Sequence, residues 1–318
     1  MKFKLLSLII ISSTFYLFAG VGTLPYDYES PGGHMTAENN GGSLNKTSLG
    51  AIRGNPAMLA VEKKYELDAS YMWPSEGREV FQVGAVDSVT SAIALGILYT
   101  GHRGTYEYWK NLKEEEKEKA FTKSSATRRI AVGAAFNFGG LSLGLGGQFV
   151  EGTLMETGKE LSGVTLGGGV TFTLMNDLRI GGSVENLLNE PVKDFAPRIY
   201  RGGINYKPLQ SLSLSLDYTH RDRVPQEQGY AIYQDPSTSD LFTQQEMMLT
   251  ASSSFTLAEM LTISAGYGHS FDKTQRKSLG GGISFKSNGF LVSYTLRRPF
   301  LSQELYNHVV HAAYHIRL

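Results

Sequence analysis

From about residue 64 to the C-terminus the chain is written in period two, and this constrains its fold more than any other feature. In the stretch SLSLSLDYTH, an extended backbone puts Leu212, Leu214, Leu216 and Tyr218 on one face and Ser211, Ser213, Ser215, Asp217 and Thr219 on the other. The same alternation aligns Ile130, Val132, Ala134, Phe136 and Phe138, and again Val164, Leu166, Gly168, Val170, Phe172 and Leu174. Fourteen strands are predicted, near 65–72, 78–87, 91–101, 127–138, 141–151, 162–174, 177–188, 197–206, 211–222, 244–256, 260–270, 277–287, 289–298 and 306–318.

The connections between these segments alternate in length. Short ones, such as Gly139 to Gly140, Met175 to Asn176 and Asn288, separate long ones, such as His102 to Ala126, Asn189 to Ala196 and Arg223 to Thr243. Bacterial outer-membrane barrels have this asymmetry, with tight periplasmic turns, longer outer loops and an even strand number. A soluble β-sandwich shares the alternation but has no reason to keep every second connection short. The segments also run to about ten residues, the length a tilted strand needs to cross a bilayer. The expected fold is therefore an all-β, 14-stranded antiparallel transmembrane barrel in the bacterial outer membrane, in contact with its lipid, with both termini periplasmic.

Composition removes competing classes. With 30 Lys+Arg against 30 Asp+Glu there is no basic face for nucleic acid. No Cys is present, which excludes disulfides, thiolate metal sites and lipid attachment at the leader. Residues 1–20, MKFKLLSLIIISSTFYLFAG, carry Lys2 and Lys4, an apolar stretch and small Ala19 and Gly20, the pattern of a secretory signal peptide cleaved between residues 20 and 23. No apolar run after residue 20 is long enough for a membrane helix.

Residues 21–63 precede the strands, are rich in Gly and Asn, and do not alternate. Within them Asn55 suits a helix N-cap and Pro56 the first helical position, where a missing N–H costs nothing. The phrase Gly54-Asn55-Pro56-Ala57-Met58-Leu59-Ala60 before a barrel resembles the N-terminal hatch of the FadL-like long-chain fatty-acid transporters, and PorV-like outer-membrane proteins share it. Ser183-Val184-Glu185-Asn186-Leu187-Leu188 and Lys207-Pro208-Leu209 are similar to phrases of the same group. The resemblance implies a barrel over 64–318, a hatch over 21–63 marked by Gly54, Asn55, Pro56 and Ala57, and a passage for small hydrophobic ligands. The first reading is a channel for fatty-acid-like molecules; because the chain is shorter than the family's transporters usually are, a PorV-like non-transporting scaffold for an exported protein stands as the alternative.

His308 faces away from His311 and His315 on a regular strand, so the three cannot share a metal. No strained nucleophile or oriented base is marked, so the reading is a non-enzyme without catalytic residues, metal or cofactor. The glycines Gly144, Gly146, Gly167, Gly169 and Gly281 lack the strand-to-helix context of a phosphate loop. They read instead as lumen space or a gap in the wall, for plug or ligand. In the loop 102–126, Tyr106, Tyr108, Trp109 and Leu112 form an aromatic patch suited to catching an apolar molecule at the mouth. Tyr71, Trp73, Tyr99, Phe149, Tyr218 and Tyr267 read as interfacial anchors.

Overall fold

The computed structural model describes residues 43–44, 48–74, 79–103, 124–154, 159–175, 177–189, 192, 196–222, 246–271, 277–299 and 307–316. Its strands are β1 (Tyr65–Pro74), β2 (Glu79–Asp87), β3 (Ile93–Arg103), β4 (Ser124–Phe138), β5 (Leu141–Leu154), β6 (Lys159–Met175), β7 (Leu178–Glu185), β8 (Ile199–Leu209), β9 (Leu212–Arg221), β10 (Glu246–Leu257), β11 (Leu261–Ser270), β12 (Lys277–Ser287), β13 (Phe290–Pro299) and β14 (Asn307–Ile316). Each pairs antiparallel with the next, and β1 pairs with β14 from Tyr65↔Ile316 to Pro74↔Asn307, closing the barrel. All fourteen expected strands are present, displaced by a few residues at their ends.

The alternation separates two surfaces of unusual polarity. Outward positions carry exposed Leu67, Val83, Ile97, Val132, Leu145, Leu166, Ile263, Ile283 and Val292, with Leu145 exposed to 75%. Inward positions carry buried Glu66, Asp68, Gln82, Thr100, Arg129, Gln148, Thr165, Asp217, Ser264, Thr295 and His311. Water cannot solvate a continuous apolar belt of this kind, whereas a bilayer does. Some of the inner polar groups bond one another across the sheet, as where Ser70 Oγ donates to Gln82 Oε1 at 3.1 Å and Gln82 Nε2 to Thr100 Oγ1 at 3.3 Å.

Local backbone chemistry sets the tight turns. Asn288 and Gly289 both take positive φ, 46° and 86°, the geometry of a two-residue hairpin between β12 and β13. At the opposite end the wall is uneven. β4, β5 and β6 rise together to Ser124↔Leu154 and Leu154↔Lys159, whereas β7 pairs with β6 only from Gly168↔Val184 onward. The sequence alternation predicts β7 to residue 188, but the strand ends at Glu185 because Asn186 takes a left-handed φ of 61° and turns its amide inward.

Inside the barrel lie a helix α1 (Ser48–Gly54) and a 3-10 helix at Pro56–Ala60. Their Leu49, Ala51, Ile52, Met58, Leu59 and Ala60 form the main apolar cluster with Leu44 and with Val86, Ala94, Leu98, Ala131 and Ala135 on the inner faces of β2, β3 and β4. One side of this inner segment is thus apolar and seated on three adjacent strands.

Candidate functional site

The other side of the inner segment is held by polar contacts, centred on Asn55. Asn55 has an extended backbone, φ −155° and ψ 99°, and its Oδ1 accepts the Ala57 N–H at 3.1 Å, capping the 3-10 helix with Pro56 in its first turn. Its Nδ2 donates to Ser43 O at 2.7 Å, Thr171 Oγ1 at 3.1 Å and Val170 O at 3.3 Å. Three acceptors for two hydrogens make one of these bonds shared. The carboxamide therefore joins the cap, the chain upstream and the wall strand β6.

Next to it Arg53 reaches β7. Its Nε and Nη2 lie 3.2 and 3.0 Å from Glu185 Oε1, and Arg201 Nη1 on β8 lies 2.9 Å from Glu185 Oε2. The carboxylate is buried and sits between two guanidiniums, so losing it would leave two cations facing each other out of water. Ser183 Oγ also donates to Gly54 O, and Asp217 on β9 accepts from Ser43 N at 3.0 Å and Ser43 Oγ at 2.6 Å.

The network continues past the end of β7. Gln148 Nε2 donates to Asn186 Oδ1 and lies 3.4 Å from Glu185 Oε1, while Thr165 Oγ1 donates to Asn186 Oδ1 at 3.0 Å. Asn186 Nδ2 donates to Pro197 O at 2.8 Å and Asn189 Nδ2 to Ala196 O at 2.9 Å. Val192 and Ala196 of the same connection are buried against Val150, an inward residue of β5. Asn186, Asn189, Val192 and Ala196 of the β7–β8 connection are therefore turned inward, and one chain of contacts, Arg53–Glu185–Gln148–Asn186–Pro197, runs from the inner segment to them.

Between Ile52, Arg53 and Pro56 on one side and Gly146, Thr165 and Glu185 on the other lies a cavity of about 20 Å³. This is room for about one water molecule.

Gly144, Gly146 and Gly169 face the inner segment. A Cβ on Gly144 would lie 2.2 Å from Ala57 N, on Gly169 2.0 Å from Asn55 Oδ1, and on Gly146 3.1 Å from Pro56 Cγ. On Gly167 it would lie 2.6 Å from Val184 O, so that glycine lets β7 approach β6. Gly281 corrects the expectation: it shares the outward face with Ile283 and Phe285, because its parity is opposite to buried Ser278 and Gly280, and it makes no lumen space. Sequence reasoning passed over Gly84, Gly96, Gly133 and Gly181, whose added Cβ would meet Leu49, Ile52, Leu59 and Leu44 at 2.6 to 2.9 Å. It also passed over the Arg53–Glu185–Arg201 group, although Glu185 and Asn186 sit in the phrase that carried the resemblance.

Gly54, Asn55, Pro56 and Ala57 are all buried within the lumen. Tyr106, Tyr108, Trp109 and Leu112 lie outside the described residues, as does the leader 1–20. His311 bonds Asp68 and lies 3.2 Å from Ser293 through Nδ1; His315 pairs with Glu66 at 2.9 Å. These contacts tie β13, β14 and β1 at the closing seam. His308 instead stacks outside on Trp73 and bonds the Tyr294 hydroxyl.

No family model matches this chain, and no curated protein does. Among solved structures it is similar to the Ralstonia pickettii toluene transporter TbuX, with a TM-score of 0.60 and 14% identity over 92% of this chain and 100% of that one. It is also similar to the Pseudomonas putida toluene transporter TodX, with a TM-score of 0.59 and 11% identity over 94% and 98%. A TodX deltaS2S3 mutant, described as a monoaromatic hydrocarbon channel, gives 0.61 and 12% over 92% and 100%. At these identities the likeness establishes the fold.

Proposed function

We propose that this chain, which has the fold of the toluene transporters TbuX and TodX, is a passive outer-membrane channel for small apolar molecules. On this reading residues 21–63 are a hatch, residues 64–318 the barrel, and both termini face the periplasm. The observation that carries the reading is how the inner segment is held. Its apolar side rests on β2–β4, while hydrogen bonds and an ion pair hold it to β6, β7 and β9, through Asn55, Arg53, Gly54 and Ser43. A buried ion pair adds little net stability over apolar packing of similar volume, which suits a contact that has to part.

The mechanism is diffusive. An apolar molecule leaves water at the outer mouth, where Tyr106, Tyr108, Trp109 and Leu112 offer a capture patch, and meets the inward-folded β7–β8 connection. A cavity of about 20 Å³ beside the hatch does not admit it, so passage requires the Arg53–Glu185 contact to part. Above Gly168 the ladder between β6 and β7 has ended, with Leu187 N bonding Leu166 O at 2.6 Å beyond it, and this seam is the candidate place for sideways escape.

The test is uptake of radiolabelled toluene and of a long-chain fatty acid by a bacterial host lacking its own hydrophobic channels. The protein should raise the entry rate of at least one of the two, and the Tyr106→Ala/Trp109→Ala variant should lower it with the barrel still folded. No increase for either solute, together with recovery of an exported protein bound to the barrel, would replace the channel by the scaffold reading.

A further inference from the structure

The outward wall of β1–β6 is not a smooth belt. It holds an open, apolar groove of about 810 Å³, within the ~300–1,000 Å³ of ordinary small-molecule sites. A cross-strand row of outward residues, Leu67, Ala85, Ile97, Val132, Gly147 and Leu166, runs across it. In the next row Ala134 sits between Leu95 and Leu145. Ala85, Ala134 and Gly147 form the floor, and the exposed Leu and Ile chains beside them form the sides.

The floor is supported from within. Behind it, Gly84, Gly96 and Gly133 are met by Leu49, Ile52 and Leu59 of the hatch, so the wall is thin but backed by the main apolar cluster and the groove is preformed. Its short-turn end is polar: Tyr65 and Asp87 line it, and Tyr65 OH bonds Thr90 Oγ1. The exposed Lys63, two residues before Tyr65, places its Nζ 3.2 Å from Ser91 O in the adjoining β2–β3 turn.

We propose that this groove is a binding site for one phospholipid of the leaflet at the short-turn end, with an acyl chain over Ala85, Ala134 and Gly147 and the phosphate beside Lys63. The groove opens into hydrocarbon, so its occupant is apolar. Lys63 and the Tyr65 hydroxyl stand beside the Asp87 carboxylate at this end, which suits a zwitterionic phospholipid headgroup, its phosphate toward Lys63 and its ammonium toward Asp87, rather than a neutral hydrocarbon. This site is separate from the lumen and stands whether or not the barrel conducts.

The experiment is native mass spectrometry of the full-length protein reconstituted in phosphatidylethanolamine/phosphatidylglycerol vesicles, then extracted and exchanged into mild detergent. The wild type should retain one phospholipid. Ala134→Leu/Gly147→Leu, which fills the floor, should reduce occupancy at least tenfold, and Lys63→Ala severalfold, with the heat-modifiable gel mobility of a folded barrel unchanged. If the double variant fails to insert, Ala85→Leu is read in its place with the same expected loss. A wild type that retains no phospholipid, or only detergent, lipopolysaccharide or a second copy of the chain, overturns the proposal, as does equal retention by the filled variant.

Discussion

Asn55 uses both ends of its carboxamide, which no other capping residue can do here. Aspartate caps helices as well as asparagine does, but it cannot donate to Ser43 O or Thr171 Oγ1. Asn55→Asp is therefore expected to destabilise the folded barrel at least as much as Asn55→Ala, by about 1–3 kcal/mol, for the unmet buried acceptors. Urea unfolding in lipid vesicles measures both, and an Asp variant as stable as wild type would show that the cap alone matters. Glu185 makes a different case. Glu185→Ala leaves Arg53 and Arg201 buried without the carboxylate between them, an expected loss of about 3–5 kcal/mol to the local packing. The measurable sign is faster trypsin cleavage after Arg53, Lys63 or Lys64 and greater conductance in planar bilayers.

At the scale of elements, the inner segment and the strands around it are fitted by the absence of side chains. Gly144 lets the Pro56–Ala57 backbone lie directly on β5, and Gly169 leaves room on β6 for the Asn55 carboxamide. Gly144→Leu is expected to expel the segment and raise its trypsin sensitivity, whereas Gly281→Leu, on the lipid face, leaves it seated. Equal sensitivity in the two variants would mean that the segment does not depend on these contacts. The same close fit explains why the motif was legible and its setting was not. Asn-Pro announces a capped turn from local chemistry alone, but which glycines that turn touches depends on strands more than eighty residues away.

For the whole molecule, the inversion of polarity is the governing fact. Leu145 is 75% exposed on the outer face and Leu209, at the short-turn end of β8, is 59% exposed. Placed in lipid, the two should respond differently to charge. Leu145→Arg is expected to cost ~2–4 kcal/mol and Leu209→Arg ~0–1 kcal/mol, because the penalty falls from the bilayer centre to its interface. Equal costs in vesicle-folding titrations would place the belt elsewhere along the barrel axis.

The barrel is legible in the chain: its strand number, the alternation of its faces, the short and long ends, and the capped turn at Asn55. These are local or periodic properties, and period two together with tight-turn residues leaves little freedom in how such a chain pairs. The rest follows from closure of the barrel. Glu185 reads as one more polar residue of a strand until closure brings Arg53 and Arg201 against it from positions 132 and 16 residues away. The end of β7 at Glu185, the inward turn of Asn186, the outward parity of Gly281 and the groove over Ala85, Ala134 and Gly147 likewise arise from register between strands, and register is settled by packing in three dimensions.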